Sequence, residues 1–90
     1  MLTSTERKAL KAKAHKLEPV VQIGAKGLTE DVIAEIHRAL TAHELIKVRA
    51  GTLDRDARDH AFGSICERTG AQPVQQVGKV CVLFRKKPDD

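Results

Sequence analysis

The stretch Pro19–Ile36, "PVVQIGAKGLTEDVIAEI", decides how the rest of the chain is read. The β-branched run "VVQI" at 20–23 reads as a short strand, because such side chains suit a pleated surface. Gly24 and Gly27 then bracket "AK", a turn, and past it Thr29 is placed to cap a helix. Glu30 and Asp31 follow in the first turn, where carboxylates complement the helix dipole. Val32, Ile33, Ile36 and Leu40 recur at helical spacing, so the helix presents a core-facing stripe and ends near His43.

The segment after that helix fixes the topology. "LIKVRAG" at 45–51 alternates, with Ile46, Val48 and Ala50 on one face and Lys47 and Arg49 on the other, which predicts a half-exposed strand. A strand, a helix and a second strand in that order predict a right-handed crossover between parallel strands. "DRDARDHAFGSICERTG" at 54–70 reads as a third helix, with Asp54 as N-cap and Gly70 at the left-handed C-terminal position, although Gly63 inside it costs about 1 kcal/mol against alanine. "PVQQVGKVCVLFRKK" at 73–87 predicts a hairpin about Gly78-Lys79. Val80, Val82 and Phe84 alternate there with Cys81 and Leu83, so the last strand is apolar on both faces and belongs inside the sheet.

Upstream, Thr3 and Glu6 have capping-box spacing, and Leu10, Ala14 and Leu17 make a narrow apolar stripe on a helix that Pro19 ends. The expectation is therefore one α/β (α+β) domain over 1–90, ordered α1-β1-α2-β2-α3-β3-β4, with a mixed four-stranded sheet and three helices. Residues 86–90, "KKPDD", read as a frayed tail.

Charge is segregated along this order. The chain has 16 Lys and Arg against 12 Asp and Glu, a net +4, which suggests a polyanionic partner. The first helix, with Arg7, Lys8, Lys11, Lys13 and Lys16, and the second strand are basic, whereas helices two and three are acidic. Only two residues are aromatic, both Phe, so a platform that stacks bases on aromatic rings is disfavoured. Cys66 and Cys81 lie fifteen positions apart with no CxxC, and they read as small buried hydrophobes of a reducing cytosol. No leader-like or membrane-length apolar run is present, so a cytoplasmic location is expected, with no membrane partner.

Catalysis has no signature here. His15, His37, His43 and His60 fall on different elements without HExxH or Cys-His spacing. "GAKGLT" has neither the Walker spacing nor its Lys-Ser/Thr pair, and it contains no GxGxxG. The expected protein is not an enzyme, with no cofactor, metal or small-molecule substrate. What remains is a GxxG turn carrying a lysine at a helix start. Its glycines let the backbone approach a phosphate, N–H groups can donate to the phosphate oxygens, and Lys26 adds a mobile charge. Such a turn grips nucleic-acid backbone and does not read bases. A KH domain is the wrong comparison, because its "IGxxG" joins two helices and precedes an apolar residue where this chain has Glu30.

Across nearly the whole chain, "LTSTERKALKAKAHKLEPVVQIGAKGLTEDVIAEIHRALTAHELIKV" and the later "TGA" and "VQQVGKVCVLFR" resemble the CRM domain in its single-domain, YhbY-like form. The most specific parts are "AHKLEPVVQIGAKGLT" and "HELIKV"; Phe84 stands where that family often has Tyr. The resemblance implies an RNA-binding module, in bacteria associated with the precursor of the large ribosomal subunit and in plant organelles with intron splicing. It also implies a fold similar to the C-terminal domain of translation initiation factor three, with Gly24, Ala25, Lys26 and Gly27 in the RNA surface. The expected function is thus a non-catalytic role in ribosome assembly. Arg7, Lys8, Lys11, Lys47, Arg49 and Arg85 would extend the RNA-binding track, the partner would be large-subunit precursor rRNA, and ribosomal proteins are further candidate partners. The alternative is a protein-interaction module that meets a ribosomal protein or assembly factor through acidic helices two and three.

Overall fold

The computed structural model describes residues 2–87. Its elements are α1 (Ser4–Ala14), β1 (Val21–Gln22), α2 (Glu30–His43), β2 (Leu45–Arg49), α3 (Arg55–Thr69), β3 (Gln72–Val77) and β4 (Val80–Phe84). One mixed sheet runs β1-β2-β4-β3, with β1 parallel to β2 and the other pairs antiparallel. The element order and the fold class are those the sequence predicts. β4 lies between β2 and β3, in keeping with its two apolar faces. β2 is also internal, so Lys47 and Arg49 do not sit on an edge strand; they face outward from the middle of a sheet.

Period-two alternation sorts the sheet into two faces. Val21, Ile23, Ile46, Val48, Cys81 and Leu83 point to one side and meet Ile33, Ile36 and Leu40 of α2 and Ala61, Phe62 and Ile65 of α3. On the other side Leu45, Val74 and Val82 pack against Ala14, with Leu2, Leu10 and Phe84 around them. α1 therefore covers one face of the sheet, and α2 and α3 cover the other.

Each helix starts where its side chains can satisfy free N–H groups. Thr3 Oγ1 accepts from Glu6 N at 3.1 Å and Glu6 Oε1 accepts from Thr3 N at 3.0 Å, the reciprocal box. Thr29 Oγ1 accepts from Val32 N and Asp54 Oδ1 from Ala57 N. At the far end of α3, Gly70 has φ 75° and closes the helix in the left-handed region.

The hydrogen bonds from the Thr3 backbone and side chain hold the Glu6 carboxyl below its ordinary value. A carboxyl depressed on folding contributes stability above its unfolded pKa and loses that contribution as pH falls through its folded pKa. Thr3→Ala is expected to lower the thermal midpoint at neutral pH, by a cap loss of about 1 kcal/mol. The gap from wild type should narrow below about pH 4, a trend that thermal melts across pH would read.

The sequence places α1 up to the residue before Pro19, but the helix stops at Ala14. Lys16 N–H and Leu17 N–H bond back only three residues, to Lys13 O and Ala14 O, which tightens the turn. The chain must leave the α1 layer here and descend to the sheet edge at β1. Leu17 accordingly drops out of the packed stripe and is 37% exposed. Only Val21 and Gln22 form the β1 ladder, while Val20 N–H and Ile23 N–H extend it to Lys47 O and Arg49 O. Of the expected frayed tail, Lys87 N–H donates to Glu44 Oε2, and 88–90 lie outside the described residues.

Candidate nucleic-acid interface

The Gly24–Gly27 turn projects from the end of β1, rooted by Ile23, whose side chain is buried. Ile23 O accepts from the Thr52 hydroxyl, and Gly27 N–H donates to Gly24 O at 2.9 Å, closing the turn with Ala25 and Lys26 exposed at its tip. Gly27 has φ 77°, a conformation that strains any residue with a Cβ. Gly24 has no such need. Its φ lies outside the left-handed region and an added Cβ would meet nothing within 4 Å among the described residues, so their packing does not require a glycine there.

Glu30 and Asp31 share the helix start with this loop, and a phosphate there would meet repulsion if both faced it. The Glu30 carboxylate is turned to α3 instead, where both oxygens accept from Arg68 Nη2 at 2.8 and 2.6 Å. Its charge is locally compensated by a group 38 positions away. Asp31 is exposed.

The sheet register sets which cations stand near the loop. Gln22 pairs with Arg49, and Arg49 with Val80, so Arg49 lies on β2 beside the loop's root. Its guanidinium folds back over Gly51, whose added Cβ would lie 3.2 Å from Arg49 Nε. Ala50 N–H donates to Lys79 O at 2.8 Å and holds the β3-β4 hairpin tip at the same end. Lys79 was legible in the sequence only as a turn residue; its approach to this end depends on strand order, which local pattern does not encode. One step further along β2, Lys47 is half-buried and lines a cleft with Lys11 of α1 and His15 just past the end of that helix. Lys8 is exposed on the same helix.

Two predicted members stand elsewhere. Arg7 is half-buried on the β3 side of the sheet, in a hollow shared with Asp59, Phe62 and Pro73, and its Nε is buried with no hydrogen-bond partner among the described residues. Arg85 leaves β4 at the end opposite the hairpin, five residues of strand or about 17 Å from the level of Val80. Its Nη1 donates to Thr69 O at 2.7 Å and meets His37 Nδ1 at 2.8 Å, and its Nη2 donates to His37 O and Thr41 Oγ1. Arg85 ties the end of β4 to α2 and α3. The structure does not bring it to the loop.

Cys66 of α3 and Cys81 of β4 lie near one another. Cys66 is half-buried and Cys81 buried, and burial, with Cys66 nearby, pushes the Cys81 thiol up to about 12. Burial raises Cys66 also. Both are thiols at neutral pH, which suits the packing role expected of them. Among the described residues no group of three or more His, Cys, Asp or Glu is placed to hold a metal ion, and no helix is long and apolar enough to cross a membrane.

Fold and site together define the class of small α/β domains that carry a GxxG turn on a cationic end of a mixed sheet. The chain belongs to the CRS1 / YhbY (CRM) domain family, whose model matches residues 2–85. It is 40% identical over 87 residues to a Pseudomonas aeruginosa protein named a probable RNA-binding protein, covering 97% of this chain and 84% of that one. It is 44% identical over 84 residues to an RNA-binding protein of Haemophilus influenzae, covering 93% and 85%. The solution structure of a Staphylococcus aureus protein, itself described as a candidate RNA binder, superposes with a TM-score of 0.84 at 31% identity, covering 100% of this chain and 94% of that one.

Proposed function

We propose that this protein binds structured RNA by its backbone and assists ribosome assembly on precursor rRNA of the large subunit. The observation that carries the reading is the exposed Gly24–Gly27 turn, with Lys26 at its tip and Arg49 and Lys79 at the same end of the sheet. The relatives named as RNA-binding proteins support the partner class; the likeness to the single-domain CRM form supports the ribosomal setting. In this reading Gly24 and Gly27 admit a phosphate to the backbone, Lys26 neutralises it, and Lys11, Lys8, Lys47 and Arg49 continue the track. Arg7 and Arg85 take no part, because one is half-buried toward the β3 edge of the sheet, away from β1, and the other is committed to α2 and α3. No catalytic step is assigned to any residue.

The alternative surface, acidic helices two and three, is partly occupied by its own fold. Glu30 is paired with Arg68, and Glu44 accepts from Lys87 N–H while holding the unusual φ of 63°. Charge reversal at Glu35, an exposed position, is therefore expected to leave RNA association unchanged in a pull-down from cells.

Gly24→Ala separates folding from binding. The variant should melt with wild type, within about 0.5 kcal/mol, since nothing stands where the new methyl would go. Its RNA affinity should fall severalfold if a phosphate approaches the turn closely, and an electrophoretic titration would measure that loss. The assembly reading is tested by crosslinking the protein to RNA in cells and sequencing the attached fragments. A defined cluster in large-subunit rRNA is expected; a spread over unrelated transcripts would contradict it.

A further inference from the structure

The sheet face that carries α1 is covered only in part. Paired residues emerge side by side on a sheet, so this face is built in rows across the strands. One row runs Leu45–Phe84–Gln72, the next Lys47–Val82–Gln75, and the last Gln22–Arg49–Val80–Val77. α1 packs on Leu45 in the first row and on Val82 in the middle of the second, which are 9% and 3% exposed. The last row is open. Arg49 and Gln22 are exposed there, Val80 is half-buried, and Val77 is 62% exposed.

At the boundary between covered and open rows lies a cleft of about 280 Å³. Val77, Val80 and Val82 give it an apolar floor. Its polar rim is Lys11 of α1, His15 just past the end of that helix, Lys47 from β2 and Gln75 from β3, and among the described residues no carboxylate lines it. An isolated exposed valine calls for no explanation, but a floor that runs from buried Val82 through half-buried Val80 to exposed Val77, with Lys11 and Lys47 on its rim, does. The row continues through Arg49 to Gln22, two residues before Gly24, so the cleft and the glycine turn share one end of the sheet.

We propose that this cleft seats an unpaired RNA base whose neighbouring phosphates lie on Lys11, Lys47 and the Gly24–Gly27 turn. The inference rests on the reading of that turn as an RNA-backbone contact and adds a ligand feature to it. A base is flat and apolar on its faces and polar on its edges. The valines receive a face by dispersion and desolvation, with no aromatic ring among the described residues that line the cleft. The Gln75 amide both donates and accepts, and can meet a base edge; Lys11 and Lys47 are donors only and suit phosphate or base carbonyl oxygens. A paired base in a duplex cannot enter, because its faces are stacked and its edge is engaged. The preferred ligand is therefore a helix interrupted by a bulged or unstacked nucleotide. A protein side chain would find the same floor, but the two lysines of the rim, Lys11 and Lys47, favour a polyanion.

The test compares a fully paired RNA hairpin with the same hairpin carrying one unpaired 2-aminopurine in its stem. Wild type should bind the bulged form about tenfold more tightly, a difference within reach of burying one base face, and the fluorophore should respond on binding. Val77→Ser, at a largely exposed position, and Gln75→Ala should each shrink that preference toward unity. Affinity for the paired hairpin, and its salt dependence, should stay within twofold of wild type. Equal binding of both hairpins by wild type, or full preference in both variants, would overturn the inference and leave the cleft to a protein contact. Failure of the backbone reading is separate: it shows as Lys26→Ala binding the paired hairpin as wild type does.

Discussion

Arg85→Ala should lower the unfolding free energy by about 2–3 kcal/mol while leaving the RNA affinity of the folded protein unchanged. The guanidinium bonds to the carbonyls of Thr69 and His37 and to the hydroxyl of Thr41, and it meets His37 Nδ1, so one side chain joins the ends of β4, α2 and α3. Hydrogen bonds to a charged donor are individually among the stronger ones, and truncation leaves half-buried carbonyls without a partner. In a chain of this size the loss corresponds to roughly 10–20 °C in thermal midpoint. Lysine at 85 should recover little, since the single ammonium nitrogen cannot stand where both Nη1 and Nη2 meet their acceptors. A variant that melts as wild type but binds RNA weakly would return Arg85 to the RNA surface and contradict its structural role.

Charge reversal at the loop tip should have the largest effect on binding. Lys26→Glu replaces an attraction to phosphate with a repulsion at the same point. At surface dielectric a unit charge within about 4 Å is worth about 1–4 kcal/mol, so the reversal should cost at least tenfold in affinity at low salt. Lys26 is exposed and makes no hydrogen bond among those described, so stability should not move. Loss of affinity with an unchanged melt, read by titration and calorimetry, is the expected pair of results.

Most of the fold was legible because its signals are local. The Thr3–Glu6 box, the Thr29 and Asp54 caps, the left-handed Gly70 and the alternation in 45–49 and 80–84 each act within a few residues, and each stands as the sequence predicts. The end of α1 was not legible in the same way. Pro19 marks where a helix cannot continue, whereas the helix ends at Ala14 because the chain must reach the β1 edge, which is a tertiary demand. The candidate site divides similarly. The glycine turn and Lys26 are contiguous, so their setting between a strand and a helix could be read directly. Which cations join them depends on strand order β1-β2-β4-β3, which puts Lys79 at the loop's end and Arg85 at the other. From the sequence, Arg85 is expected in the RNA track and Lys79 only in a turn; the paired ladders and the Thr69, His37 and Thr41 contacts put them at opposite ends of the sheet. The pairing of Glu30 with Arg68 is likewise a contact between helices that no local pattern signals.

The central claim is that the Gly24–Gly27 turn holds RNA by its phosphates. It is tested most directly by measuring affinity for one structured RNA at several salt concentrations, with wild type and Lys26→Ala side by side. Each phosphate that the protein no longer neutralises should flatten the log-log slope by roughly 0.7 to 0.9. The expected result for Lys26→Ala is weaker binding and a slope shallower by about one such step, repeated on other structured RNAs. The same affinity and the same slope in both proteins would contradict the claim.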